Sequence, residues 1–127
     1  MIERFASGGP WEKAAGYSRA VRAGSLVFVA GCTAVGPDGE LVGGASAYAQ
    51  AMQACRNLEA ALGQAGATPA EVVQTRMYVT DIARWDEVGR AHAEVFGAAP
   101  PVSTMVEVSR LIDPRFLVEI EAIAHVS

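Results

Sequence analysis

Histidine and cysteine are scarce in this chain, with two of each in 127 residues, and that scarcity removes several chemistries at once. His92 and His125 cannot furnish the three nitrogen ligands of a catalytic zinc within one chain. Cys32, at an apparent strand end, and Cys55, in an apparent helix, match neither a metal spacing nor a disulfide scaffold, which points to a reducing compartment. Positive charge is also short. Ten Lys and Arg against fourteen Asp and Glu give a net charge of −4, so the general attraction to phosphate backbones is missing, and neither a basic stripe nor an aromatic platform for nucleic acid stands out. The longest apolar run, around Leu26 to Val35, falls short of the ~20 residues that cross a bilayer. Glu3 and Arg4 occupy the place where a secretory signal needs its apolar core. The expectation is a soluble, cytoplasmic protein with no membrane partner. The strong motifs for phosphate cradles, dinucleotide loops, helical zinc pairs and paired Cys-x-x-Cys are absent too. Glycines 36, 39, 43 and 44 read as loop punctuation, because no helix opens directly on them. No cofactor and no metal is expected.

What remains is an apolar-rich chain, 51% hydrophobic and 19% charged, of a length that fits one domain spanning residues 1–127. "SRAVRAG" and "SLVFVAG" predict two strands meeting at Gly24 and Ser25, a hairpin. Pro37-Asp38-Gly39 is turn chemistry. Tyr48, Ala51, Met52, Cys55, Leu58, Leu62 and Ala65 then fall at helical spacing, which predicts a helix over 47–64 with Ser46 as its cap and Gly66 as its stop. Thr68-Pro69 predicts one short turn before a strand with Val73, Thr75, Met77 and Val79 on one face. A second helical stripe of Trp85, Val88, His92, Val95 and Phe96 follows, and strands over 103–108 and 117–124 close the chain. The predicted order is β-β-α-β-α-β-β, with a further strand possible at Ile2 to Ala6. Two helices cover only one face of such a sheet, yet "LVFVAG" is apolar at successive positions, as in a strand buried on both faces. Another copy of the chain is the economical cover, so a homo-oligomer is expected.

Few side chains stand out chemically. Glu119 and Glu121 share a strand face with Leu117 and Ile123; they either decorate a solvated surface or place a carboxylate at a subunit seam, where desolvation would raise its pKa. Tyr17 reads as packing or as a pocket hydroxyl. His92 reads as a half-buried core residue, and Cys32 as a small buried residue or a nucleophile in need of an activating neighbour. Ser103 opens the second face of the strand "VSTMVEV", with Met105 beside it on that face, and is read as a pocket hydroxyl.

Four stretches, "GYSRAVRAGSLVFVAG", "RNLEAALGQAGAT", "VVQTRMYVTDIARWDEV" and "LVEIEAIA", resemble in order and spacing the Rid or YjgF family of reactive-intermediate deaminases, also known as the L-PSP endoribonuclease family. The resemblance implies an α+β, chorismate-mutase-like mixed sheet with two helices on one face. It also implies a homotrimer built as a barrel, with small-molecule clefts between subunits. The best-known activity of such proteins is cofactor-free hydrolysis of amino-acid enamines and imines such as 2-aminoacrylate. By this resemblance Tyr17, Gly31 and Cys32 line the cleft and Glu119 is its catalytic carboxylate, while Ser103, with Met105 near it, stands where relatives carry an arginine. Arginine grips a carboxylate through two charge-assisted bonds, each worth about 1.5 to 3 kcal/mol, and serine donates only one neutral bond. The resemblance therefore implies a hydrolase of enamines, imines or related reactive metabolites, with a weaker hold on carboxylate substrates. A non-catalytic metabolite-binding or protein-stabilising trimer is the alternative. Ribonuclease activity, also associated with the family, runs against the acidic balance.

Overall fold

The first hairpin closes because Gly24 turns with φ 63°, a left-handed value glycine adopts without penalty. In the computed structural model, which describes residues 1–127, β2 (Ala20–Ala23) and β3 (Leu26–Cys32) pair antiparallel across that turn. The strand expected near the start is β1 (Ile2–Phe5), hydrogen-bonded to β2. Between them lies an element absent from the predicted order, α1 (Pro10–Ala15). Pro10 opens it at the position where a missing N–H costs nothing, and Gly16 ends it with φ 75°.

The long helix α2 (Ala47–Gln64) has the predicted bounds, and the Ser46 hydroxyl accepts from the Ala49 N–H at 3.1 Å. Its buried stripe includes Ala51, Ala54, Cys55, Leu58, Ala61 and Leu62. The short turn predicted after Thr68 is a 3-10 turn, Pro69–Glu71, closed by reciprocal Thr68 and Glu71 capping bonds. Helix α3 (Trp85–Phe96) buries Val88, Ala91 and Phe96. Trp85, expected on that stripe, is exposed, because the buried stripe begins only at Val88.

The remaining strands are β4 (Val72–Val79), β5 (Val102–Glu107) and β6 (Val118–His125), and the sheet runs β1-β2-β3-β6-β4-β5. β6 is antiparallel to both neighbours, whereas β4 and β5 are parallel and joined through α3. Thus the sheet is mixed. Val27, Val29, Thr75, Met77, Val79, Val118, Ile120 and Ala122 point into the core beneath the two long helices. One expected position differs: a register shift between Val72 and Gln74 turns Val72 inward and leaves Val73 exposed, so Val73 does not share the face of Thr75 and Met77.

Helices cover only that face. On the other, Leu26 is 38% and Phe28 40% exposed in the isolated chain, with Val106 also accessible. The "LVFVAG" strand is therefore buried on one face only within the protomer, and its second apolar face is open. The connection between β5 and β6 is anchored to α2 by fully buried Gln50, which donates to the Gly44 and Arg115 carbonyls and accepts from the Leu117 N–H. Phe116 in the same connection packs edge-on against Trp11 of α1, with ring centroids 6.0 Å apart. No helix is long and apolar enough to cross a membrane.

Candidate functional site

Glu119 owes its position to an irregularity in β3. Val29 pairs with Ala122 but Cys32 pairs with Ile120, so one extra residue is accommodated on β3 around Ala30 and Gly31. A bulge of this kind re-aims the side chains beside it. Gly31, at the bulge, lies directly against Glu119: a Cβ there would sit 2.7 Å from Glu119 Cδ and 2.8 Å from Cγ. Only glycine leaves room for the carboxylate in this pose.

A second group forms around Arg19, just ahead of β2. Its Nε donates to Glu12 Oε2 at 3.2 Å, and Nη1 donates to the Gly31 carbonyl at 2.6 Å and the Ala30 carbonyl at 3.3 Å. Nη2 reaches the Tyr17 hydroxyl at 3.4 Å, and the guanidinium carbon lies 5.6 Å from the centre of the Tyr17 ring. Glu12, buried on α1, also accepts from the Ser7 N–H and hydroxyl. Burial would push its carboxyl up, but the bonds from Ser7 and Arg19 outweigh that and hold it below the ordinary range. Arg19 therefore ties α1 to the bulge.

These side chains line a cleft of about 990 Å³ bounded by α1, the bulge, the loop after β3 and one side of α2. Tyr17, Arg19, Gly31, Cys32, Asn57 and Glu119 are among its walls. Asn57, from α2, fixes the loop by donating to the Thr33 and Val35 carbonyls at 2.9 and 2.7 Å. Desolvation raises the pKa of Glu119; Arg19 opposes the shift and Glu121 adds to it. No donor of the chain bonds its carboxylate, which is left free to receive a proton or a ligand N–H. Cys32 is a different case. Burial pushes its thiol up to about 11 despite Arg19, so near neutral pH it is an unreactive thiol.

Of the residues predicted to share a site, the chain brings together Tyr17, Gly31, Cys32 and Glu119. Ser103 and Met105 lie outside that cleft. The parallel register explains why: Ser103 pairs with Thr75 and Met105 with Met77, both on the helix-covered side, whereas Glu119 pairs with Tyr78 on the open side. The Thr75 and Ser103 hydroxyls are 2.8 Å apart, and buried Thr75 also bonds His92 Nε2 at 2.8 Å, a chain of hydroxyls leading from α3 to the sheet edge. Arg110 is exposed in the β5–β6 connection and does not reach the cleft. Sequence reasoning missed Arg19 and Glu12. The polar Tyr-Ser-Arg run before an apolar hairpin was the available signal for the first; nothing comparable marks the second.

Two helices on one face of a six-stranded mixed sheet, with a glutamate on its central strand facing a cleft, define the class of protein. The family model for Endoribonuclease L-PSP matches residues 10–126. The chain is 54% identical to Rv2704 of Mycobacterium tuberculosis, a member of the YjgF/YER057c/UK114 family, whose crystal structure superposes with a TM-score of 0.90 over 99% of this chain and 100% of that one. It is 39% identical to SCO2049, an uncharacterized protein of Streptomyces coelicolor, over 98% of this chain and 92% of the relative. It is also 37% identical to the RutC family protein PYRAB12510 of Pyrococcus abyssi, over 86% and 85%. The chain belongs to the YjgF/Rid family, which the L-PSP endoribonuclease model also describes.

Proposed function

We propose that this Rid-like chain is the subunit, one domain over residues 1–127, of a cytoplasmic homotrimer that hydrolyses a reactive imine or enamine without a cofactor. The open apolar sheet face around Phe28 supports assembly, since a second copy would cover it. The exposed edge of β5 would then bring Ser103 and Met105 of one copy toward the cleft of the next, completing a ligand site at the subunit boundary.

One observation carries the catalytic reading: Glu119 faces the cleft half-buried, unbonded and with a raised pKa. As general base it takes a proton from water while the oxygen attacks the imine carbon and the C=N electron pair moves to nitrogen, which takes that proton up from Glu119 to give the carbinolamine. Glu119 then takes the carbinolamine's hydroxyl proton and delivers it to nitrogen; the O–H electron pair forms the C=O bond, the C–N pair leaves with ammonia, and the carboxylate is restored beside a carbonyl product. Tyr17 and Ser103 orient the substrate. With serine rather than arginine at 103, 2-aminoacrylate is a poor substrate and a less anionic imine a better one.

The test is turnover of 2-aminoacrylate and of carboxylate-free imines by wild type, Glu119→Gln and Ser103→Arg, with oligomeric state followed by light scattering. Glu119→Gln is expected to abolish hydrolysis in an intact trimer, and Ser103→Arg to raise aminoacrylate turnover. Undiminished turnover in Glu119→Gln rejects the role of that residue, and a monomer in solution rejects the assembly. Tight metabolite binding without any turnover favours a binding protein instead.

A further inference from the structure

The cleft contains a cation, Arg19, that at first sight restores what serine at 103 removes. Its bonding argues otherwise. A guanidinium has five N–H groups; here Nε is taken by Glu12, Nη1 by the Gly31 and Ala30 carbonyls, and Nη2 faces the Tyr17 hydroxyl. At most one N–H is left, too few for the paired grip on a carboxylate. The charge is also matched, because Glu12 lies 3.2 Å away in an ion pair whose side chains are only 13% and 6% exposed. An ion pair so close presents little net charge to a ligand. Glu119, whose carboxylate no donor of the chain bonds, is left facing the cleft, with Asp38 adding a second carboxylate at its wall.

We infer that this cleft selects a planar cationic C=N group, an iminium or amidinium, over its neutral counterpart, and selects against a carboxylate. This rests on the proposed ligand role of the cleft and names the chemical class it takes. Arg19 acts as a positioning residue: it holds the bulge carbonyls so that Gly31 stays beneath Glu119. The cationic group would pair with Glu119 in a half-buried setting, where attraction between opposite charges exceeds its value in bulk water.

Three almost isosteric probes read the charge preference directly: acetamidinium, acetamide and acetate, titrated at low salt and neutral pH while the Gly31 and Cys32 amides are followed by NMR. Acetamidinium is expected to bind tightest and acetate weakest, with at least a roughly tenfold span, equivalent to ~1.4 kcal/mol. In Glu119→Gln, which leaves Arg19 and Glu12 in place, acetamidinium should fall to acetamide's affinity. Acetate binding as tightly as acetamidinium overturns the inference. So does a preference that survives Glu119→Gln, or the absence of binding by all three probes. The two proposals fail separately. Amidinium preference without imine turnover removes the hydrolase reading alone, and imine turnover with acetate preference removes only this one.

Discussion

Adding one methyl group at Gly31 is the sharpest perturbation available, because it opposes two effects of known sign. Gly31 does not use a left-handed φ, so alanine fits its backbone and should gain about 0.4–1 kcal/mol by restricting the unfolded chain. Against this, the new Cβ would fall 2.7 and 2.8 Å from Cδ and Cγ of Glu119. Contact at Cγ cannot be relieved by moving the carboxylate tip, so χ1 must leave its present well. Overpacking of this kind costs about 1–3 kcal/mol. The net expectation for Gly31→Ala is a loss of about 1 kcal/mol, a melting temperature lower by ~3–5 °C, and a displaced Glu119. Displacement by ~1 Å is enough to cost about a hundredfold in turnover. Urea denaturation measures the first quantity, and carboxyl NMR titration of Glu119 measures the second, with its raised pKa moving back toward the ordinary range. In a Glu119→Ala background the same substitution should become neutral or stabilising, since the clash is gone. A variant as stable as wild type with Glu119 titrating unchanged would refute the packing argument.

Other outcomes follow from the charged and buried groups. Because the folded-state pKa of Glu119 is raised, its favourable contribution exists in acid and is lost as pH rises through that pKa; Glu119→Gln should melt above wild type at mildly alkaline pH, the gap closing in acid, by calorimetry across pH. Glu12 has the opposite sign: its lowered pKa contributes stability that is present above the unfolded value and lost as pH falls through the folded one. Glu12→Gln, which strands Arg19 in a buried site, should cost about 3 kcal/mol near neutrality by chemical denaturation, with the difference from wild type shrinking in acid. Thr75→Val removes the hydroxyl that joins His92 to Ser103 and should cost about 1–2 kcal/mol. Cys32, buried and with a pKa of about 11, should resist a thiol reagent in the native protein and react at once in denaturant.

The elements most legible in the sequence were those whose burial follows a simple period. α2 carries a long apolar stripe with a serine at one end and glycine past the other, and its bounds emerge unaltered. β6 alternates strictly, so Val118 and Ile120 inside and Glu119 and Glu121 outside could be assigned from spacing alone. Irregularity was what escaped. α1 is too short for a periodic signal and is marked only by Gly-Pro at its start and Gly at its stop. The shift near Val73 reverses inside and outside by one residue, a change that leaves no compositional trace. In the cleft, Glu119 was marked by its strand face before the resemblance gave it a role, whereas Gly31 came from family resemblance alone. Ser103 and Glu119 were assigned together by that same route, but strand register places them on opposite sides of the protomer's sheet. Arg19 acquires meaning only through contacts with residues of α1, β3 and the connection just ahead of β2.

The position of β6 also bears on how the chain can be made. β6 sits at the middle of the sheet, between β3 and β4, yet it is the latest of the six strands in chain order. Until β6 is available, the β1-β2-β3 meander and the β4-β5 pair have no strand to join them, and α2, which packs on both β3 and β6, lacks part of its floor. Pairing of Val118–His125 is what joins the halves, so truncation just before it should leave a sticky, chaperone-dependent intermediate with unpaired strand edges instead of a smaller stable protein.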